Sequence, residues 1–241
     1  MSHASPRCSH CQSCPTLSHS EWGVLAADEV ALLDQFKVCN TYERGQVIYY
    51  QGNPCLGIHC LAAGVIALRR SDELGNAMLL RLIHPGQTFG HRAYFAGGLH
   101  GASAEATTRC RVCFIDRAGL DGLLERNPPL GARFLRRLAS DLGAADEARL
   151  QSSHLPVRTR MAHLMLQLKD RLAIVDEDGS LALELPFSRK DLASIVGTRP
   201  ETVARTIRAL EEAGVTRFEG RRVVIPDLDR LLDEVEAPPA A

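Results

Sequence analysis

The sequence predicts an α+β protein: an N-terminal β-roll, a long dimerisation helix and a C-terminal winged helix-turn-helix. Three observations predict it. Glycines recur between residues 45 and 98 with short apolar runs between them, leucines spaced by three and four follow from Leu135, and two short helical patterns meet at a glycine ahead of a hairpin. The 241 residues suffice for one large or two medium domains, each with its own core. The chain is 45% hydrophobic and 24% charged, ordinary values for a soluble globular protein. Its longest apolar stretch, 62–68, falls far short of the ~20 residues of a membrane helix. The N-terminus lacks the basic-then-apolar order of a secretory signal, so a cytoplasmic location without a membrane partner is expected. With a net charge of -1, any nucleic-acid role must rest on a local basic patch.

Residues 1–24 form a cysteine-rich segment, and 25–126 read as the β-roll. Gly45, Gly52, Gly57, Gly64, Gly75, Gly86, Gly90 and Gly97 separate strand-like runs at 46–50, 65–69 and 77–83, and another strand follows at 109–116. Asn127-Pro128-Pro129 is a helix start, a capping side chain followed by proline in the first turn. Within 127–153, Leu135, Leu138, Leu142 and Ala145 form a seam suited to a partner helix, which predicts a homodimer. His154-Leu155-Pro156 marks a hinge, and 154–233 read as the winged helix-turn-helix, with an amphipathic helix at 157–171 and a loop at 176–180. The tail, 234–241, reads as disordered.

Ser188 with Asp191 three residues on forms a capping box, and the helix it opens stops at Gly197. Thr198 then opens a second helix, with Pro200 in its first turn and Glu201 placed to close a box with Thr198. Two helices joined so tightly are a helix-turn-helix. Val203, Ile207 and Leu210 fall on one face of the second helix and Glu201, Arg205 and Arg208 on another, so one face packs and the other suits the major groove. A hairpin turning at Glu219-Gly220 supplies a wing whose Arg217, Arg221 and Arg222 suit phosphate. Between 186 and 222, eight Arg and Lys, Arg199 among them, face five acids, which is the required basic patch for double-stranded DNA.

Together the β-roll, the long helix and "FSRKDLASIVGTRPETVARTIRALEEAGV" resemble the CRP/FNR family of bacterial transcription regulators from about Leu25 onward. The resemblance implies that Glu201 and Arg205 read the bases of each half-site and that RNA polymerase is a partner. Pro200 stands where cyclic-AMP-responsive members carry an arginine, which favours a TTGA-type half-site over TGTGA; Ala204 replaces a serine common in the FNR branch. The stretch "GQTFGHRAYFAGGLHGASAEA" lacks the phosphate cassette of the cyclic AMP binders: His91 replaces its glutamate and Gly101-Ala102 its Arg-Ser, with Arg92 off register. Without a guanidinium fork a cyclic phosphodiester loses its charge-assisted contacts, so cyclic AMP is not an expected ligand.

Cys8, Cys11 and Cys14 form C-x2-C-x2-C, the spacing that begins a ferredoxin-type run, but Ser18 occupies the fourth place. A remote cysteine is then required, and Cys39, Cys55, Cys60, Cys110 and Cys113 compete. By alternation Cys110 shares an apolar face with Val112 and Phe114, whereas Cys113 shares the face of Arg109 and Arg111; Cys110 and Cys60 therefore read as core, and Cys113 as reachable from outside. The FNR branch implies the same choice, since its 4Fe-4S cluster uses N-terminal cysteines, similar to "HCQSC" here, and a strand cysteine matching Cys113. A further ligand of that branch falls near Ser20, so Cys8 must stand in from the other side. The expected protein is a regulator sensing oxygen, nitric oxide or redox state through a 4Fe-4S cluster on Cys8, Cys11, Cys14 and Cys113. The alternative keeps the regulator but makes the N-terminal cysteines a zinc site, with His10 or His19, or a thiol switch, and leaves the β-roll to a small-molecule effector. With no nucleophile–base pairing in the sequence, an enzyme is not expected.

Overall fold

The computed structural model describes residues 10–73, 77–177 and 179–236. It comprises two compact units, Met1–Leu142 and Gly143–Ala241.

The first unit opens with short 3-10 turns, Cys11–Ser13 and Glu21–Val24, then α1 (Ala27–Phe36), β1 (Lys37–Tyr42), β2 (Val47–Tyr49), β3 (Gly57–Ala63), β4 (Ile66–Ser71), β5 (Ala77–Ile83), β6 (Thr88–Phe89), α2 (His91–Phe95), β7 (Ser103–Ala106), β8 (Cys110–Asp116) and α3 (Arg117–Arg126). Two four-stranded antiparallel sheets, β1-β8-β3-β6 and β2-β7-β4-β5, face each other. Between them lie Leu61, Ile66, Ile83, Phe89, Ala104, Ala106, Cys110 and Val112. The outer face of the first sheet is not bare. Ile58, Cys60 and Ile115 pack there against Trp22, Leu33, Leu120, Leu130 and Phe134, which come from the N-terminal segment and the flanking helices. β3 therefore buries both its faces, which explains why "GIHCLAAG" shows no polar alternation.

The helix α4 (Pro128–His154) starts where the Asn-Pro-Pro signal placed it, and the Asn127 side chain accepts from the Leu130 amide at 3.1 Å. Leu130, Phe134 and Asp141 are its buried residues. Of the seam expected from the sequence, Leu135, Leu142 and Ala145 are exposed and Leu138 is half-buried.

The second unit holds the end of α4, then α5 (Val157–Leu172), β9 (Ala173–Val175), β10 (Leu181–Glu184), α6 (Arg189–Val196), α7 (Pro200–Glu212), β11 (Arg217–Glu219), β12 (Arg222–Ile225) and α8 (Leu228–Glu236). The small sheet runs β11-β12-β10-β9. Met161, Met165, Leu192, Val203, Ile207, Leu210 and Leu231 form its interior. The expected disordered tail begins too early: residues 234–236 belong to α8, and Glu234 makes a bidentate pair with Arg158 of α5. Nothing local signals this, because Arg158, which holds Glu234, lies 76 residues away. Residues 237–241 lie outside the described chain.

A charged cluster in the first unit surrounds Asp141, whose carboxylate meets Arg81 of β5, Arg137 of its own helix at 3.1 Å, His91 of α2 at 3.3 Å and Arg92 at 3.7 Å. Burial would raise this carboxyl, but the His91 hydrogen bond and the Arg81 and Arg137 charges outweigh it and hold it well below the usual carboxylate range. A depressed folded pKa contributes stability that is fully present above the unfolded value, ~3.9, and is lost as pH falls through the folded one. Asp141→Asn should therefore cost about 3 kcal/mol near neutrality, by leaving the arginines around a neutral amide. Urea unfolding of both proteins across acidic and neutral pH should show that gap closing below about pH 4.

Candidate functional site

The helix-turn-helix is built by local chemistry. Ser188 and Asp191 close the expected capping box: the Ser188 hydroxyl accepts from the Asp191 amide at 3.2 Å, and the Asp191 carboxylate accepts from the Ser188 amide at 2.9 Å. Gly197 ends α6 at φ 72°, a left-handed conformation that a Cβ would strain. The next helix departs from expectation by two residues. It begins at Pro200 with Arg199 as its cap residue and no capping side chain, so Thr198 does not open it and Glu201 closes no box with Thr198. Proline at the first position, with φ already set for a helix, starts α7 instead.

Val203, Ile207 and Leu210 are buried on one face of α7, and Arg199, Pro200, Glu201, Arg205 and Arg208 stand exposed. The inward face anchors the helix while the Arg205 and Arg208 guanidinium groups and the Glu201 carboxylate project to solvent, with Arg199 just ahead of them, the donor and acceptor set that base edges require. In the wing, Gly220 turns the hairpin at φ 68°. Arg217 pairs with Glu219 at 2.8 Å, and Arg222 is clamped by both carboxylate oxygens of Asp176 at 2.6 and 2.5 Å. Arg221 is half-exposed beside them. Nothing in the sequence spacing signalled the Asp176–Arg222 clamp, since it joins a loop to a strand 46 residues away.

A second site lies under the N-terminal segment. Cys11, Cys14, Cys60 and Cys113 line one cavity of about 30 Å³, walled by Leu17, Trp22, Leu33 and Ile115 and reached by Ser20 and Lys37. That volume holds roughly two water molecules. The turn carrying Cys11 is tied down by Asp34, which accepts from the Cys11 amide at 2.9 Å and pairs with His10 at 2.6 Å. Lys37 donates to the Cys11 sulfur at 3.1 Å. Burial pushes the Cys11, Cys60 and Cys113 thiols up, Cys113 to about 11, and Lys37 opposes this at Cys11 and Cys113. Cys110 and Cys55 face elsewhere and donate to the Val65 and Gly57 carbonyls, at 3.2 and 3.1 Å.

Among the residues singled out in the sequence, Cys8 lies outside the described residues. Cys113 points away from the roll interior, toward the cavity rather than open solvent, because the N-terminal segment covers that face of the sheet. Cys60, read as core, is buried yet lines the cavity; its register opposite Cys113 puts both on one face. Cys39 stands opposite Cys113 on the other side, with the sulfurs 2.8 Å apart. Strand alternation within one segment cannot reveal such neighbours, because pairing register joins segments distant in sequence. His91 is buried against Asp141, and Arg92 pairs with the same carboxylate. Among the described residues no three His, Cys, Asp or Glu side chains are gathered as for a single metal ion, and no helix is long and apolar enough to cross a membrane.

Comparison with known proteins agrees with both halves of this architecture. Residues 39–127 match the cyclic nucleotide-binding domain family, and residues 159–234 the Crp-like helix-turn-helix domain family. The transcriptional activator protein FnrL of Cereibacter sphaeroides is 27% identical over 228 residues, covering 93% of this chain and 91% of its own. The cyclic AMP receptor protein of Thermus thermophilus is 29% identical, over 88% of this chain and 94% of its own. A crystal structure of a CRP/FNR-family transcriptional regulator from Thermus thermophilus superimposes with a TM-score of 0.70 at 28% identity, covering 83% of this chain and 99% of that one. These relatives are regulators and not enzymes. With a roll of that family in its first unit and a winged helix-turn-helix with an exposed basic face in its second, the chain belongs to the CRP/FNR family of DNA-binding transcription regulators.

Proposed function

We propose that the protein is a homodimeric regulator that reads an inverted-repeat, TTGA-type site and senses oxygen, nitric oxide or redox state through a 4Fe-4S cluster on Cys8, Cys11, Cys14 and Cys113. The observation that carries the sensing half is the convergence of Cys11, Cys14 and Cys113 on one apolar-walled cavity. Thiolates in a largely apolar shell are the donor set such a cluster takes. When bound, the cluster supplies one-electron and oxygen chemistry. Lys37 offsets thiolate charge there, and Asp34 holds both Lys37 and the Cys11 backbone. The thiols are raised by burial, so loading releases protons.

The dimer half rests on the exposed Leu135 and Leu142 of α4, an apolar stripe that water disfavours and a second copy would cover. A two-fold dimer presents two copies of α7 about one DNA turn apart, ~34 Å, and so selects an inverted repeat. Arg205 suits guanine by two hydrogen bonds, Glu201 one turn earlier suits a cytosine amine, and Pro200 suits a thymine methyl. With Arg222 held by Asp176, the phosphate contact of the wing falls mainly to Arg221.

Anaerobic reconstitution should give about four irons per chain with broad visible absorption. Cys11→Ser or Cys113→Ser should abolish both signals, whereas Cys110→Ser, whose sulfur faces the roll interior, should retain them; the opposite result at positions 110 and 113 would overturn the ligand set. Leu138→Glu should shift sedimentation from dimer to monomer, since a desolvated charge in the seam costs several kcal/mol. In site selection from random DNA, the wild type should recover an inverted repeat. Anisotropy titrations should show Arg205→Ala losing about 1 to 3 kcal/mol with relaxed choice at one G·C pair, and Arg221→Ala weakening all sequences alike.

A further inference from the structure

We propose that Arg160 is a positioning residue for DNA reading: its guanidinium ties the last turn of α4 to the turn between α6 and α7, and so fixes the half-site spacing that the protein accepts. The tie follows from one proline. A carbonyl in a continuing helix accepts from the amide four residues on, which for Ser152 is that of residue 156. That residue is Pro156, which has no N–H, so the Ser152 carbonyl loses its helical donor, whereas the Leu155 amide still reaches the Gln151 carbonyl. Arg160, one turn into α5, reaches back across the hinge and donates through Nη1 to the Ser152 carbonyl at 3.4 Å. A cation at the C-terminal end of a helix also suits the dipole there.

The same nitrogen meets the helix-turn-helix. A Cβ added at Gly197 would lie 3.4 Å from Arg160 Nη1 and 3.6 Å from Ser152 Oγ, so the turn that ends α6 and leads into α7 sits against both. Arg160 is half-buried, and its Nε is enclosed without a hydrogen-bond partner among the described residues. A guanidinium enclosed in this way is turned toward protein and not toward phosphate. Local preference runs against it: the first turn of α5 carries Arg158 and Arg160 and no acid, where the dipole favours acids. Both arginines find acceptors on other helices, Arg158 at the Ala209 carbonyl near the end of α7 and Arg160 at the end of α4. Local rules are broken mainly at functional sites, where remote contacts compensate.

The consequence for DNA rests on the proposed two-fold dimer. One base pair more or less between half-sites moves the second by about 3.4 Å. A recognition helix fixed against the end of α4 therefore discriminates between spacings, and a loose one does not.

Anisotropy titrations of the full chain use duplexes carrying the selected inverted repeat at its own spacing and one base pair shorter or longer. Wild type should prefer its own spacing by at least about tenfold. Arg160→Ala should reduce that preference to about threefold or less, while its discrimination at the G·C pair and its salt slope stay those of wild type. Arg160→Lys, which keeps a cationic donor, should recover most of the preference. An unchanged spacing preference in Arg160→Ala overturns the proposal, and so does a salt slope lowered by about one, which would make Arg160 a phosphate contact. Hydrogen exchange decides the tie without DNA: residues 150–155 and 196–199 should exchange at least about tenfold faster in Arg160→Ala, with β10 unchanged. Faster exchange throughout the unit means lost stability, and unaltered exchange at 150–155 means no tie; either overturns the proposal. Should Arg160→Ala not fold, Arg160→Gln takes its place in both measurements. If wild type binds no inverted repeat, the dimer reading fails and exchange alone decides the tie.

Discussion

The central strands β3 and β8 of the sheet β1-β8-β3-β6 pack against apolar side chains on both faces, and the chemistry of the first unit follows from that constraint. A sheet in a closed roll ordinarily buries one face and wets the other, so its strands alternate. Here the outer face is roofed by the N-terminal segment, α1, α3 and the start of α4, and Trp22, Leu33, Leu120 and Phe134 press onto it. Alternation along β8 then sends Cys110 and Val112 into the roll and Cys113 and Ile115 toward the roof. The cysteine cavity is the imperfectly filled seam between sheet and roof. Anything bound there acts on the contact that holds the N-terminal segment down.

The same roof accounts for the charged cluster. Asp141 is buried with Arg81, Arg137 and His91 because α4 lies along the roll, and a carboxylate in that position holds the helix to β5 and α2 through charge as well as through Leu130 and Phe134. A buried acid among arginines adds little net stability against an apolar replacement, but removing one partner leaves the others desolvated. The cluster therefore fixes one placement of α4 on the roll, and with it which leucines of α4 stay outside.

The second unit works by division of labour on a single helix. The period of α7 puts Val203, Ile207 and Leu210 inside and leaves Glu201, Arg205 and Arg208 free of the core, so packing sets the pose and a charged face stays exposed. Ser188 and Asp191 define where α6 begins, and Gly197 and Pro200 where it ends and α7 begins, by caps and backbone conformation. The wing is held more firmly than its sequence implies, because two of its arginines are already paired with Glu219 and Asp176.

What the sequence by itself determined is what depends on neighbours a few residues apart. Glycine-separated strands, the Asn127 cap, the capping box, the turn at Gly197, the inward and outward faces of α7 and the hairpin at Gly220 all follow from local periods and dihedral preferences. The start of α7 slipped by two residues because Thr198 and Pro200 are both good starters, and the helix opens at the proline with Arg199 before it. The helix over residues 234–236 was hidden because its stabilising partner, Arg158, is remote. Tertiary structure alone decided that Cys39 and Cys60 flank Cys113, that Asp141 is buried among arginines and that Asp176 takes Arg222. Each of these depends on register or docking between segments tens of residues apart, and a one-residue slip would turn every side chain to the opposite face.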